Sequence, residues 1–369
     1  MMKKKLGIYI HIPFCSAKCG YCGFYSKSGS SAAEQKDYVK TLIDDIKRYG
    51  KTYGSSYLVD TIFIGGGTPS VLPPSCIREI LESLRVGFDV DPEAEITIEA
   101  NPKTVSAAKL QVYRENGVNR LSMGLQSFDR ECLRTLGRIH TAEDFVENFH
   151  LARQCGFDNI NIDLMFAIPG QTMDIWLDTL RKAVVLSPEH LSFYSLQIEE
   201  GTPFYQKFMT GQLEEIPDDV DRAMYHRAIA FLKENGYEHY EISNCCRPGY
   251  ACRHNLKYWS MEEYLGIGSG ASSYVNGIRF TEPPFFERHE NDFADETSEF
   301  VFTGLRKTCG ISLDQFARRF GREFWTVFGD RKRELEEYFA SGMLVEEDGW
   351  LRLSETGIDV SNRIMAEFV

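Results

Sequence analysis

Short apolar runs alternate with helical apolar stripes from the N-terminus to just past the middle of the chain. Leu6–Ile12 is a run of strand type, and Tyr38–Tyr49 then places Val39, Leu42, Ile43 and Ile46 on one helical stripe. Thr61–Ile64 is a short apolar run closed by glycines, and Ile77–Leu84 is helical again. Glu95–Glu99 reads Glu-Ile-Thr-Ile-Glu, the alternation of a strand with two unlike faces. Ala107–Asn116 predicts a helix that stops at Gly117. Asn119–Leu125, Asn159–Ala167 and Leu191–Ile198 read as strands, separated by helical patterns over Ala142–Cys155 and Met173–Ser187.

This is β–α alternation repeated six times, which implies an α/β fold with parallel strands and helices outside. The recognisable polar motifs fall at the C-terminal ends of the strands, where parallel α/β proteins build their sites, so a barrel or partial barrel fits. The stretch from Gly201 to Glu290 is richer in Gly, Pro and Tyr and holds one clear helix, Asp219–Asn235. Beyond Thr297 the pattern is helical, then Met343–Glu346 and Trp350–Leu353 form a hairpin around Glu347-Asp348-Gly349. Helices followed by a short hairpin predict a smaller, mostly helical, winged-helix-like domain. The expected division is a core over 1–235, a connecting region over 236–295 and a C-terminal domain over 296–369.

Composition narrows the partners. The 369 residues are 43% hydrophobic, enough for a sizeable core, and the formal net charge is −13. Such an acidic balance argues against nucleic acid or an anionic membrane as the main partner. No apolar run approaches the length of a membrane span. Leu6–Phe14 contains His11 and Pro13 and runs straight into cysteines, so it reads as a first strand and not as a signal peptide. Ten cysteines without a secretion signal point to a reducing cytoplasm, where clustered thiols mean metal or redox chemistry.

Three of those thiols, Cys15, Cys19 and Cys22, stand together after the first strand. A zinc site would pair C-x2-C units with further Cys or His nearby. Three thiolates hold three irons of a [4Fe-4S] cluster and leave the fourth open to an exogenous ligand. The C-x3-C-x2-C spacing resembles the signature of the radical S-adenosylmethionine (SAM) superfamily, whose open iron binds SAM. That resemblance implies a partial (β/α)6 barrel and places Tyr21 beside the adenine and Tyr9 near the bound SAM. Gly65-Gly66-Gly67-Thr68-Pro69 follows the second strand and lets the backbone approach a ligand closely. It resembles the superfamily's glycine motif for the SAM amino group.

Candidate polar groups follow at successive strand ends. Glu99 can accept hydrogen bonds from ribose hydroxyls. Gln126 can donate and accept at the sugar or the methionyl group, and Arg138 offers a fork for a carboxylate. Asp163 is acidic inside an otherwise apolar strand, so it needs a partner, and ribose or Arg138 would serve. Far downstream, Cys252, His254, Asn255, Tyr258 and Trp259 form a second island. An imidazole beside flat aromatic rings can ligate and sandwich haem, or merely pack. Gly266-Ile-Gly268-Ser-Gly270 lacks the strand and helix that a dinucleotide site needs. The remaining cysteines carry no assigned chemistry, and burial as small apolar residues is their default.

Together, Tyr-Ile-His-Ile-Pro-Phe-Cys, Gly-Gly-Gly-Thr-Pro, Gly-Leu-Gln-Ser, Asn-Ile-Asp-Leu-Met and His-Asn-x-x-Tyr-Trp resemble the HemN/HemW family over nearly the whole chain. Phe24 stands where the HemN branch, an oxygen-independent coproporphyrinogen III dehydrogenase, carries a fourth cysteine. Phe24 and the HNxxYW motif are features of the HemW branch. The resemblance to that branch implies a haem chaperone with a [4Fe-4S] cluster and SAM, with His254 as a haem-contacting residue. It also implies haem-acceptor proteins of the respiratory chain, a flavodoxin or ferredoxin as reductant, and transient membrane association through the acceptors. The dehydrogenase activity in porphyrin biosynthesis stands as the alternative.

Overall fold

The computed structural model describes residues 3–369. Six strands, Lys4–Ile12 (β1), Tyr57–Gly66 (β2), Asp89–Ala100 (β3), Arg120–Gln126 (β4), Ile160–Phe166 (β5) and His190–Ser195 (β6), are consecutive parallel neighbours. Helices Ala32–Tyr53 (α1), Pro74–Gly87 (α2), Ala107–Glu115 (α3), Arg130–Leu136 (α4), Ala142–Gln154 (α5) and Met173–Val185 (α6) connect them. This is the partial (β/α)6 barrel. The short helix α4, absent from the periodicity, is started by the Asp129 side chain accepting from the Cys132 N–H and stopped by Gly137 in the left-handed conformation.

Each barrel strand has two unlike faces. On β1, Leu6, Ile8, Ile10 and Ile12 join the apolar core with Val39, Leu42 and Ile46 of α1. The alternate residues Tyr9 and His11 line cavities instead. The pattern repeats on β4, with Leu121, Met123 and Leu125 against Arg120 and Ser122, and on β5, with Ile160, Ile162 and Leu164 against Asn161 and Asp163. The barrel interior is therefore polar, which is tolerable only where the groups bond to one another. Asn161 Nδ2 donates to Ser122 Oγ and to Asp163 Oδ1, each at 2.8 Å, and Asn161 Oδ1 lies 2.6 Å from His190 Nδ1.

After β6 come Pro203–Met209 (α7) and Asp218–Glu234 (α8). Residues 236–295 extend the same sheet at both edges. Glu238–Glu241 (β7) and Asn244–Cys246 (β8) continue it beyond β6, with β8 antiparallel to β6. On the other side Tyr264–Ile267 (β9) runs parallel to β1, followed by Ser272–Val275 (β10), Ile278–Thr281 (β11) and Arg288–Glu290 (β12). The helix Arg253–Trp259 (α9) closes the N-terminal end of the barrel strands. A Cβ on Gly7, near the start of β1, would meet Lys257 Cδ at 2.9 Å and His254 Cε1 at 3.3 Å. Buried Lys257 pairs with Asp60 at 2.8 Å.

The C-terminal region starts with Phe293–Gly304 (α10) and carries a small sheet of Ile311–Ser312, Trp350–Leu353 and Leu344–Glu347. Its centre is aromatic, with Phe316 5.1 Å from Phe324 and 5.7 Å from Phe300 between ring centroids. Helices with a hairpin of this kind form the expected winged-helix-like domain. No helix among the described residues is long and apolar enough to cross a membrane.

Candidate functional site: the mouth of the barrel

The cysteine loop leaves the tip of β1 and is braced on two sides. Phe14–Cys15 pairs with Lys27–Ser28 and closes the loop that holds Cys19 and Cys22. On one flank the glycine turn after β2 fits beneath it: Gly67 N–H donates to Ile12 O at 2.9 Å, and Thr68 N–H to Phe14 O at 2.7 Å. A side chain at Gly67 would place its Cβ 2.7 Å from Phe14 O. Gly66 has φ +113°, and a Cβ there would lie 2.6 Å from the His11 ring. On the other flank Gly20 N–H reaches Leu136 O at the end of α4, and the Phe204 ring of α7 packs over Gly20 and beside Tyr21.

One cavity of about 370 Å³ opens between these braces. Cys15, Cys19, Cys22, Tyr21, Gly66, Gly67, Thr68, Glu99, Gln126, Arg138 and Asp163 all line it. These residues come from strand ends that lie far apart in the chain and share one cavity. Three thiols on one wall suit a three-thiolate cluster, and polar groups on the facing walls suit a small zwitterionic ligand. Among the lining residues, two buried polar atoms have no protein partner, Gln126 Oε1 and Arg138 Nε. Gln126 is also held at φ +73°, a conformation that costs a non-glycine residue energy and marks a constrained position. The residues present fit both cofactors.

The electrostatics are unusual for carboxyls. Burial, then the neighbouring charge of Asp163, pushes Glu99 up to about 8, against the Gly66 N–H that it accepts at 3.0 Å. Burial also raises Asp163, whose partners are Asn161 at 2.8 Å and Ser122 at 3.3 Å. Arg138, one of the two partners considered for Asp163, bonds elsewhere. Its Nη1 lies 3.6 Å from Cys19 Sγ, and its Nη2 donates to Asn101 Oδ1 at 2.7 Å and to Gly124 O at 2.8 Å. Asn101 in turn donates to Thr68 Oγ1 at 2.8 Å, and that hydroxyl lies 3.6 Å from Cys15 Sγ. Arg138, Asn101 and Thr68 thereby form a chain that spans two of the three thiols. Asn101 was missed in the sequence, although it sits two residues past Glu99 in the same strand-end motif.

Two expected residues lie outside this cavity. Tyr9 lines two adjoining spaces: a polar chamber of about 230 Å³ inside the barrel and an aromatic cavity of about 480 Å³ at its side. His254 lines the polar chamber and not the aromatic cavity. It was expected to contact haem, but it is 1% exposed, with Nδ1 2.8 Å from Thr61 Oγ1 and Nε2 2.9 Å from the Tyr258 hydroxyl. Burial lowers it to about 3, so it is neutral, with both nitrogens committed. Its neighbours Tyr258 and Trp259 are the members of the motif that line the aromatic cavity, with Tyr264 and Tyr274.

A partial (β/α)6 barrel with three clustered thiols at the tip of its first strand and a glycine turn beneath them defines a radical SAM protein, with a [4Fe-4S] cluster and SAM as its cofactors. Residues 9–183 match the radical SAM superfamily, and residues 293–360 match the HemN C-terminal domain. The chain is 35% identical over 378 residues to a heme chaperone HemW of Bacillus subtilis (strain 168), covering 98% of each protein. It is 40% identical over 272 residues to that of Escherichia coli (strain K12), covering 73% of this chain and 70% of the relative. A solved structure of coproporphyrinogen III oxidase (HemN) from Escherichia coli shares the fold, with TM-score 0.88, 22% identity, and coverage of 99% of this chain and 90% of that one. The chain belongs to the HemW family.

Proposed function

We propose that this protein binds haem and delivers it to haem-acceptor proteins of the respiratory chain. The observation that carries this reading is the aromatic cavity beside the barrel, where Tyr9, Tyr258, Trp259, Tyr264 and Tyr274 offer flat faces around about 480 Å³. Such a space, apolar with a few polar groups, suits a flat apolar ligand. Trp259, one of the lining residues, has its Nε1 buried without a hydrogen-bond partner. The naming of the relatives agrees with this reading. The cluster and SAM, when bound, supply one-electron chemistry that needs a reductant such as flavodoxin or ferredoxin. We place the work in the cytoplasm, with the acceptors met at the membrane surface.

The sharing of a fold with coproporphyrinogen III oxidase favours a second reading, radical oxidative decarboxylation of a porphyrinogen. Phe24 speaks against it: the ring is 72% exposed at the cavity mouth and supplies no fourth thiol. The test is an anaerobic incubation of the cluster-loaded protein with SAM, reductant and coproporphyrinogen III, beside a haem titration of the same preparation. The proposal expects about one haem per chain and no protoporphyrinogen. Formation of protoporphyrinogen would establish the second reading.

A further inference from the structure

The polar chamber inside the barrel holds a charge that the cluster site does not use. Arg120 is 2% exposed, and its side chain lines the chamber with Ser122, Asn161 and Asp163. Its Nε has no hydrogen-bond partner. Glu95, whose charge favours the guanidinium, spends its two oxygens on the N–H groups of Arg253 and His254, each at 3.0 Å. Cys252 lies near enough to act on Arg120, but burial pushes its thiol up to about 12, so it carries no charge. An arginine does not shed its proton. A buried, unpaired guanidinium is costly and calls for an anionic partner.

The chamber's carboxyls do not meet that need. Asp163 favours the guanidinium by its charge but accepts its hydrogen bonds from Asn161 and Ser122, and Glu99 receives the Gly66 N–H while burial holds much of it protonated near neutral pH. The chamber shares Glu99, Ser122 and Asp163 with the cysteine cavity and adjoins the aromatic cavity as well. Tyr9 and Tyr258 line both it and the aromatic cavity, so they form the wall shared by the two. A ligand lying on the aromatic faces with a carboxylate arm passing these tyrosines would reach the guanidinium.

We propose that Arg120 is the anchor for a carboxylate arm of the ligand seated in the aromatic cavity, a propionate where that ligand is haem. This rests on the haem-binding function and adds the group that orients the porphyrin. A guanidinium meets a carboxylate with two parallel hydrogen bonds, which fixes the edge that points inward.

The test compares haem with haem dimethyl ester, whose propionates carry no charge, as ligands of the full chain and of Arg120→Met and Arg120→Lys. The wild-type protein is expected to bind haem about tenfold or more tightly than the ester, the scale of a lost charge-assisted pair. Arg120→Met should bind both ligands alike, and Arg120→Lys, which keeps the charge without the fork, should fall between. The ester comparison needs no substitution and stands if Arg120→Met does not fold. Equal wild-type affinity for the two ligands, or a preference that survives in Arg120→Met, overturns the anchor while leaving haem binding intact. Failure of the wild-type protein to bind haem overturns the function itself, and the anchor with it.

Discussion

His254 Nε2 lies 2.9 Å from the hydroxyl of Tyr258, one helical turn further along α9. With Thr61 on its other nitrogen, the imidazole acts as a strut that sets the Tyr258 ring in the wall between the two cavities. Replacing His254 by Ala strands the Thr61 and Tyr258 hydroxyls and opens a hole, at an expected cost of about 3 kcal/mol in denaturant unfolding. The optical and magnetic signature of added haem in His254→Gln should match the wild type, because both ring nitrogens already have protein partners.

Arg138 stands 3.6 Å from Cys19 Sγ, so its charge favours the reduced, more negative state of a cluster bound there. Arg138→Met should lower the cluster's reduction potential, and Arg138→Lys should restore part of it. A redox titration followed by electron paramagnetic resonance reads this directly. An unchanged potential in Arg138→Met would remove the guanidinium from the cluster's surroundings.

Gly66→Ala combines an unfavourable backbone angle with a Cβ 2.6 Å from the His11 ring. The expected loss is about 2–3 kcal/mol of stability, with weaker SAM binding as the turn moves away from the cysteine loop. Calorimetric unfolding and SAM titration of the cluster-loaded variant check both.

Acid should destabilise the protein before its carboxylates titrate. Burial holds His11, His140, His190, His239 and His254 below the ordinary 6.5, His140 and His239 at about 4 and His254 at about 3. The unfolded chain takes up these protons first, so their contribution is complete above pH 6.5 and is lost as pH falls toward the folded values. Glu99, Asp163 and Glu241 are raised and act in the opposite sense, their contribution falling as pH rises from the ordinary carboxylate range. Five histidines outnumber three carboxyls, so unfolding free energy should drop between about pH 6.5 and 4.5. A flat profile across that window would contradict the burial of the histidines.

Much of the barrel is legible in the sequence because each strand alternates between a core face and a cavity face. Glu95–Glu99 and Asn119–Leu125 show this directly. Cys15, Cys19 and Cys22 are legible because their spacing belongs to one loop. The target of Arg138 was not, since it depends on how α4 sets Gly137 beside the cysteine loop, a long-range relationship. The surroundings of His254 were not legible for a similar reason: the motif names its residues but not the end of the barrel that α9 covers. The aromatic cavity draws on β1, α9, β9 and β10, whose last two strands are four residues each and too short for periodicity to reveal. Arg120 could be read as a polar position in a strand, but its isolation appears only when Glu95 is seen capping α9.

A haem carrier must both hold haem and give it up. This is tested most directly by mixing the haem-loaded protein with a haem-free respiratory-chain acceptor and following the absorbance of each. The account predicts that haem leaves this protein and appears in the acceptor, with the transfer weakened when Tyr258 or Trp259 is replaced by Ala. Haem that stays bound to this chain, or transfer that is indifferent to both substitutions, would contradict it.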